Sequence, residues 1–350
     1  MPPSPHHDPT APAPAPGSAS AHSGAPARPV AGRDFGNAQA SLRAETGRAG
    51  AGWVTFDMPG VAVGTAEYDA GPTGATVISL PPRSRTAVDR RGGSAGLLGA
   101  FPVNDAICLA GGSTFGLAAA TGVLDEMLRR SGHRTDFAAL PVVSGAVVYD
   151  FAPRDNAVYP DAELGRAAFI SARTDRVAVG RVGAGISATV GKAVDTRAEY
   201  AGQGAAFTAV GPAKVLVVTI VNAIGVIVDR AGSVRRGNLG PATGERHPTY
   251  PDYTARIATG SPGSPSAPST TGHTTLTVVL TNVRMDDFEL SQFATQVHSS
   301  MHRAIQPFHT IADGDTLFAV TTDEVTVATP SLAVGALASE LAWDAVLSTT

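Results

Sequence analysis

Residues 262–281 read PGSPSAPSTTGHTTLTVVLT, and they constrain this chain more than any other stretch. A tract of Pro, Ser, Gly and Thr, too poor in apolar groups to pack, runs straight into a strand-like segment at Thr274-Thr275. In that segment apolar Leu276, Val278 and Leu280 alternate with Thr275, Thr277, Val279 and Thr281, which is the period of a strand. The strand belongs in a core; the tract before it does not. A hydroxyl residue at such a junction has a chemical use. Scission before Thr274 would free a threonine carrying both a nucleophile, its Oγ, and a base, its new α-amine. The amine's reference pKa of about 7.7–8.0 leaves part of it neutral near neutral pH. The competing reading is an ordinary linker, with Thr270, Thr271 and Thr275 as neighbouring hydroxyls. A structureless loop over 259–273 inside a compact domain is uncommon and favours function or processing.

The 350 residues are 43% hydrophobic, enough for a full core and one or two domains. With 39 Gly and only 6% aromatic residues, tight turns and closely packed layers are expected rather than long helical bundles. A net charge of -4 points to neither nucleic acid nor an anionic membrane as a partner. Lys192 and Lys214 are the only lysines. Cys108 is alone, so no intramolecular disulfide forms and a cytoplasmic setting is the default. It sits in an apolar run and reads as a small buried hydrophobe rather than a catalytic thiol. Residues 1–35 are Pro/Ala-rich and read as a disordered tail. They lack the apolar core of a secretory leader, and His6-His7 reads as solvated. No run approaches a membrane span.

The pattern predicts strands over 61–66 and 75–80 around a turn at 69–72, and a short buried strand at 107–110. A helix follows to about Arg129, with Ala118, Ala119, Ala120 and Gly122 as a small face for close packing. A strand is predicted over 142–149 and a helix over 161–172. Residues 177–192 are glycine-rich and expected to wrap around something. Strands at 215–221 and 225–229 are broken at Asn222-Ala223-Ile224. Residues 233–273 read as irregular. A strand over 275–282, a helix over 286–306, a strand over 316–322 and a helix over 333–347 complete the chain. Strands and helices without regular βαβ spacing argue for α+β layers rather than a doubly wound sheet.

Several constellations carry chemistry. Gly111-Gly112-Ser113 opens a helix after a strand, as a phosphate cradle would, but it matches neither the Walker nor the dinucleotide pattern. A structural turn is the better reading. His298 and His302 lie at i and i+4, with His309, Asp313 and Asp315 downstream; the zincin Glu is missing, so core or subunit contacts are favoured over a metal. Asp313-Gly314-Asp315 is either a turn with an Asx hydrogen bond or a pair of carboxylates holding a nucleophile or a substrate ammonium. Lys192 follows the almost uncharged GISATVG and is either snorkelling or buried for a purpose. Asn222, between two apolar strands, satisfies a backbone irregularity or presents its N–H to an oxyanion.

These residues, with GRVGAGISATVGK, TGHTTLTVVLTNVRM, ELSQFATQVHSSMHRAIQPFHT and ADGDTLFAVTTDE, resemble the DmpA/BapA-type N-terminal-nucleophile hydrolases, peptidase family S58. The resemblance runs from about Trp53 to the C-terminus. Within the family the chain is similar to the members that cleave 6-aminohexanoate (nylon-6 type) oligomers internally. The resemblance implies an αββα-type layered sandwich of the DmpA/ornithine-acetyltransferase kind. It implies self-cleavage between His273 and Thr274, into an α fragment at 36–273 (behind the tail) and a β fragment at 274–350. Thr274 would be the nucleophile, Lys192 would lie near its amine, Asn222 would help form the oxyanion hole, Asp313 and Asp315 would orient Thr274, and Tyr149 would line the pocket. No cofactor and no metal are implied; the αβ pairs would assemble as a tetramer. The chain departs from those members at His273, where they carry Asn. Three alternatives remain open at this point: an aminopeptidase or β-peptidyl aminopeptidase, an acyltransferase like ornithine acetyltransferase, and a non-enzymatic scaffold that never splits.

Overall fold

Strand β2 (Thr73–Arg90) organises the molecule, because its residues enter three separate cores. The computed structural model describes residues 35–193, 197–259 and 272–350. The tail expected over 1–35, His6-His7 included, lies outside them but for its last residue, as does most of the expected processing loop.

The principal strands besides β2 are β1 (Ala62–Tyr68), β3 (Val103–Ala110), β4 (Val143–Val147), β5 (Gly202–Val210), β6 (Ala213–Asn222), β7 (Thr274–Val283) and β8 (Thr316–Val325). They hydrogen-bond in the order β5-β6-β7-β8-β2-β3-β4, with β1 on the free side of β2's first half. The β7–β8 and β3–β4 pairs are parallel; the rest are antiparallel. The first half of β2 pairs with β1 and β3, while its last residues, 85–90, pair with β8. The register shifts between Ser79 and Ser84, where Pro81-Pro82 interrupts the ladder and Arg83 takes φ 59°. One strand therefore passes from one layer of the sandwich to the other.

Side chains alternate accordingly. Ile78 and Leu80 of β2 meet Leu216, Val218 and Ile220 of β6, Leu276, Val278 and Leu280 of β7, and Phe318 and Val320 of β8 in a central core. Ala75 and Val77 face helices α1 (Ala118–Arg130) and α2 (Ala162–Ile170). The opposite outer face, with Val217, Val279 and Leu317, is covered by α4 (Asp287–Ser300) and α5 (Pro330–Leu347). The result is helix, sheet, sheet, helix: the expected αββα sandwich. The small face of α1 is used as expected, since a Cβ on Gly122 would lie 1.7 Å from the Ala162 carbonyl oxygen.

Four local expectations need correction. The strand placed at 75–80 is 18 residues long, continuing through the bulge that its two prolines concealed. The helix placed over 286–306 ends at Ser300, tightens to a 3-10 turn and gives way to a short strand, Ile305–Gln306, which pairs with Val226–Val228. The irregular 233–273 segment contains a short strand, Val234–Arg236, and a helix α3 (Tyr250–Ala258), whose stripe of Tyr250, Tyr253 and Ile257 was overlooked and none of whose residues is buried. Strand β5 was not predicted, because GQGAAFTAV offers small residues without clear alternation.

Candidate active site

Three strand ends meet at Thr274. Antiparallel pairing sets Asn222, the last residue of β6, opposite Thr274, the first of β7. Parallel pairing brings the turn before β8 to the same end, with His273 bridged to Asp313. The glycine-rich run then wraps this end: Gly191 N–H and Lys192 N–H donate to the Gly225 and Ile224 carbonyls at 2.7 and 2.9 Å. All seven site residues expected from sequence, Thr274, His273, Lys192, Asn222, Asp313, Asp315 and Tyr149, come together here.

Thr274 is 5% exposed, and its hydroxyl donates to the His273 carbonyl, against which it sits. The same carbonyl accepts the Gly314 N–H at 2.8 Å. A Cβ at position 314 would stand 2.6 Å from Thr274 Oγ1, so only glycine brings that N–H so close. Lys192 Nζ donates to Asn222 O at 3.0 Å, Asn222 Oδ1 at 2.8 Å and Gly272 O at 3.0 Å. Asn222 Nδ2 donates to Tyr149 O at 3.0 Å, and its Oδ1 also accepts the Thr189 N–H at 3.0 Å. The His273 oxygen thus takes the Thr274 hydroxyl and the Gly314 N–H, while Lys192 and Asn222 hold the preceding carbonyl.

The carboxylates grip the flanking backbone. Asp315 Oδ1 accepts the Thr275 N–H at 2.6 Å, and its Oδ2 accepts from His309 N and Nδ1, both at 3.0 Å. Asp313 Oδ2 accepts from Thr310 N at 3.0 Å and Thr310 Oγ1 at 2.6 Å, three residues before it. The forward Asx hydrogen bond expected of the DGD sequence is replaced by bonds that reach back along the chain and across to the Thr275 N–H. Burial, then the charge of Asp315, push the Asp313 carboxyl up to about 6. Burial, then Lys192, lower His273 to about 3, so its ring is neutral wherever the site works.

A cleft of about 240 Å3 opens onto Thr274, lined by Ser94, Ala95, Gly96, Ser113, Thr114, Tyr149 and Ala312 among others. Its floor is pinned by Asp150, which accepts from Gly112 N at 2.8 Å, Thr73 Oγ1 at 2.6 Å and Arg154 Nη2 at 2.6 Å. The phosphate-cradle reading fails on this account: the Gly112 N–H goes to Asp150 and the Ser113 N–H to Val148 O. Lys214 pairs with exposed Asp57 at the surface. Cys108 is buried, which pushes its thiol up to about 12, as a core residue and not a nucleophile. His298 and His302 pack against Phe308 and His309; among the described residues no group of three or more His, Cys, Asp or Glu is arranged to hold a metal ion. No helix among them is long and apolar enough to cross a membrane.

The family model described as peptidase family S58 matches residues 54–349. The chain belongs to peptidase family S58. As a member of S58 it is a hydrolase of amide bonds. It is 53% identical over 304 residues to a 6-aminohexanoate-oligomer endohydrolase of Paenarthrobacter ureafaciens, covering 83% of this chain and 84% of the relative. A Kocuria sp. protein of the same name is 52% identical over the same shares. Among solved structures, the L-aminopeptidase D-Ala-esterase/amidase of Ochrobactrum anthropi, described as a variant of the Ntn hydrolase fold, superposes with TM-score 0.60. It is 17% identical and covers 87% of this chain and 88% of that one, which makes the S58 chain's fold Ntn-hydrolase-like.

Sequence reasoning missed Gly314 and His309 as site residues. The signal for Gly314 was its place between the two aspartates. His309 had been considered only as a metal candidate.

Proposed function

We propose that this chain cleaves itself between His273 and Thr274 and then hydrolyses linear 6-aminohexanoate-type oligomers internally through an acyl-enzyme on Thr274. One observation carries the reading: the Thr274 hydroxyl rests on the His273 carbonyl while the Gly314 N–H, at 2.8 Å, polarises that carbonyl. Attack forms the Oγ–C bond and a tetrahedral oxyanion, and the hydroxyl proton passes to the departing Thr274 nitrogen as the C–N bond breaks. Water then hydrolyses the ester and releases the α fragment. The freed α-amine next acts as proton shuttle while Thr274 attacks a substrate amide. An oxyanion donor of this kind is worth about 2.7–4 kcal/mol of barrier. Once Gly272-His273 withdraws, Lys192 and the Asn222 amide are released to bind substrate oxygens.

The substrate class rests on the endohydrolase relatives at 53% and 52% identity and on the cleft. An aminopeptidase needs a carboxylate at the mouth to grip a terminal ammonium. Among the described residues lining the cleft none is Asp or Glu, and Asp313 and Asp315 are fully buried and engaged. Small, uncharged walls suit an unbranched chain entered from the middle. Active αβ pairs assembling as a tetramer belong to the same proposal.

The test is the intact mass of purified wild type and Thr274→Ala, followed by product analysis on 6-aminohexanoate oligomers. Two fragments for wild type, the smaller beginning at Thr274, and one inert chain for the variant are expected. A Thr274→Ala protein that splits or hydrolyses oligomers overturns the nucleophile. Release of single terminal units only would replace the endo reading with the aminopeptidase one.

A further inference from the structure

We propose that His309 is a positioning residue for the self-cleavage and hydrolysis centre, holding Asp315 and through it the backbone beside Thr274. The inference rests on Thr274 being the nucleophile. Its geometry is specific. Both the main-chain N–H and the ring Nδ1 of His309 reach the same oxygen, Asp315 Oδ2, at 3.0 Å each. The other oxygen of Asp315 takes the Thr275 N–H at 2.6 Å. Converging on one fully buried carboxylate, these donors fix the peptide that follows the nucleophile. The double reach depends on an unusual backbone: His309 has φ 58°, in the left-handed region that side chains with a Cβ seldom adopt.

The surroundings fix the tautomer. His309 Nε2 is buried with no acceptor among the described residues, so the ring's proton resides on Nδ1, facing Asp315. Phe308 stacks on the ring with centroids 3.8 Å apart, and His298 and His302 close on it at 4.3 and 4.8 Å. His298 is held in turn by Asp89 at 2.9 Å, which also pairs with Arg91. The ring thus stands between Asp315 with neighbouring Asp313 on one side and the His298–Asp89–Arg91 group with His302 on the other. Packing so close leaves it one working orientation. The arrangement is that of a base–orienter pair, displaced by one residue along the chain from the nucleophile.

The experiment compares His309→Ala, His309→Asn and Thr274→Ala as full-length chains, reading the rate of self-cleavage by intact mass and kcat and KM of oligomer hydrolysis. Asparagine places an amide N–H where Nδ1 stood and tolerates the left-handed backbone. His309→Ala should self-cleave about tenfold to a hundredfold more slowly. Its kcat should fall by the same order with KM little changed, because the reacting group and not the cleft is displaced. His309→Asn should recover most of both rates. Wild-type rates in His309→Ala overturn the proposal. So does an equal slowing in both variants, which would mean packing alone. Cleavage in Thr274→Ala would instead defeat the nucleophile reading on which the inference stands.

Discussion

Asn222 and Thr274 are Cα partners across the β6–β7 ladder, at the last and first residues of their strands. That register is set by seven further pairs with apolar residues on both faces, from Val215–Thr281 to Val221–Thr275. A slip of one residue would turn Leu276, Val278 and Leu280 out of the central core, so core packing guarantees the alignment of the Lys192–Asn222 pair with Thr274.

Gly314→Ala should stall maturation. The added Cβ would meet Thr274 Oγ1 at 2.6 Å and Ser94 O at 2.9 Å, displacing either the hydroxyl or the N–H donor. Loss of one oxyanion donor costs about 10²–10³ in rate, and self-cleavage should slow by that order. A time course of intact mass measures it, with circular dichroism confirming the fold; wild-type kinetics would remove Gly314 from the mechanism.

Lys192→Met should abolish self-cleavage and weaken the unprocessed chain. Three oxygens, Asn222 O, Asn222 Oδ1 and Gly272 O, would lose their buried donor. One unsatisfied buried group costs about 1–3 kcal/mol. Lys192→Arg should not rescue, because a planar guanidinium cannot take the place of a compact ammonium among these acceptors. Denaturant unfolding and mass spectrometry check both halves.

The Asp313 carboxyl, raised from 3.8 to about 6, makes a stability prediction. A raised carboxyl binds its proton more tightly folded than unfolded. Its contribution is therefore complete below about pH 4 and is lost as pH rises to about 6. In a Thr274→Ala background, which removes processing, Asp313→Asn should gain on its parent across that window and run parallel above it. Thermal unfolding from pH 4 to 8 reads the difference; no gain of Asp313→Asn on its parent between pH 4 and 6 would show that the Asp313 carboxyl is not raised.

Arg154 and Asp150 form an ion pair at 2.6 Å, with side chains 1% and 0% exposed. Arg154→Leu would leave the Asp150 carboxylate buried without its cation, a loss of about 3–5 kcal/mol. The Gly112–Ser113 wall of the cleft should loosen with it, raising KM for oligomers more than it lowers kcat. Urea unfolding and steady-state kinetics test the two effects separately.

Much of the layered fold was readable from short-range pattern. Alternation found β7, and short apolar runs found β6 and β8, all three of which are buried along most of their length. Where pattern failed, burial was absent or hidden: α3 has no buried residue, β5 is small and glycine-rich, and β2 runs through Pro81-Pro82 by means of a bulge. The site residues Thr274, Lys192, Asn222, Asp313 and Asp315 were named from sequence through their chemistry in context and a family resemblance, and Tyr149 through the resemblance alone.

The sequence by itself determined the α+β class and, through the resemblance carried by its motifs, the family and its αββα layers, because residue type and spacing dictate what must be buried. Only the tertiary structure decided how the site's groups divide their tasks. It gave the His273 carbonyl to the Gly314 N–H, Lys192 to the Gly272 carbonyl, and His309 to Asp315. Such contacts join residues as much as 80 positions apart, and in Lys192 and Gly272 no local period links the two. Hydrogen-bond partners at that separation follow from how strands align across a sheet, which is a property of the packed core and not of any one segment.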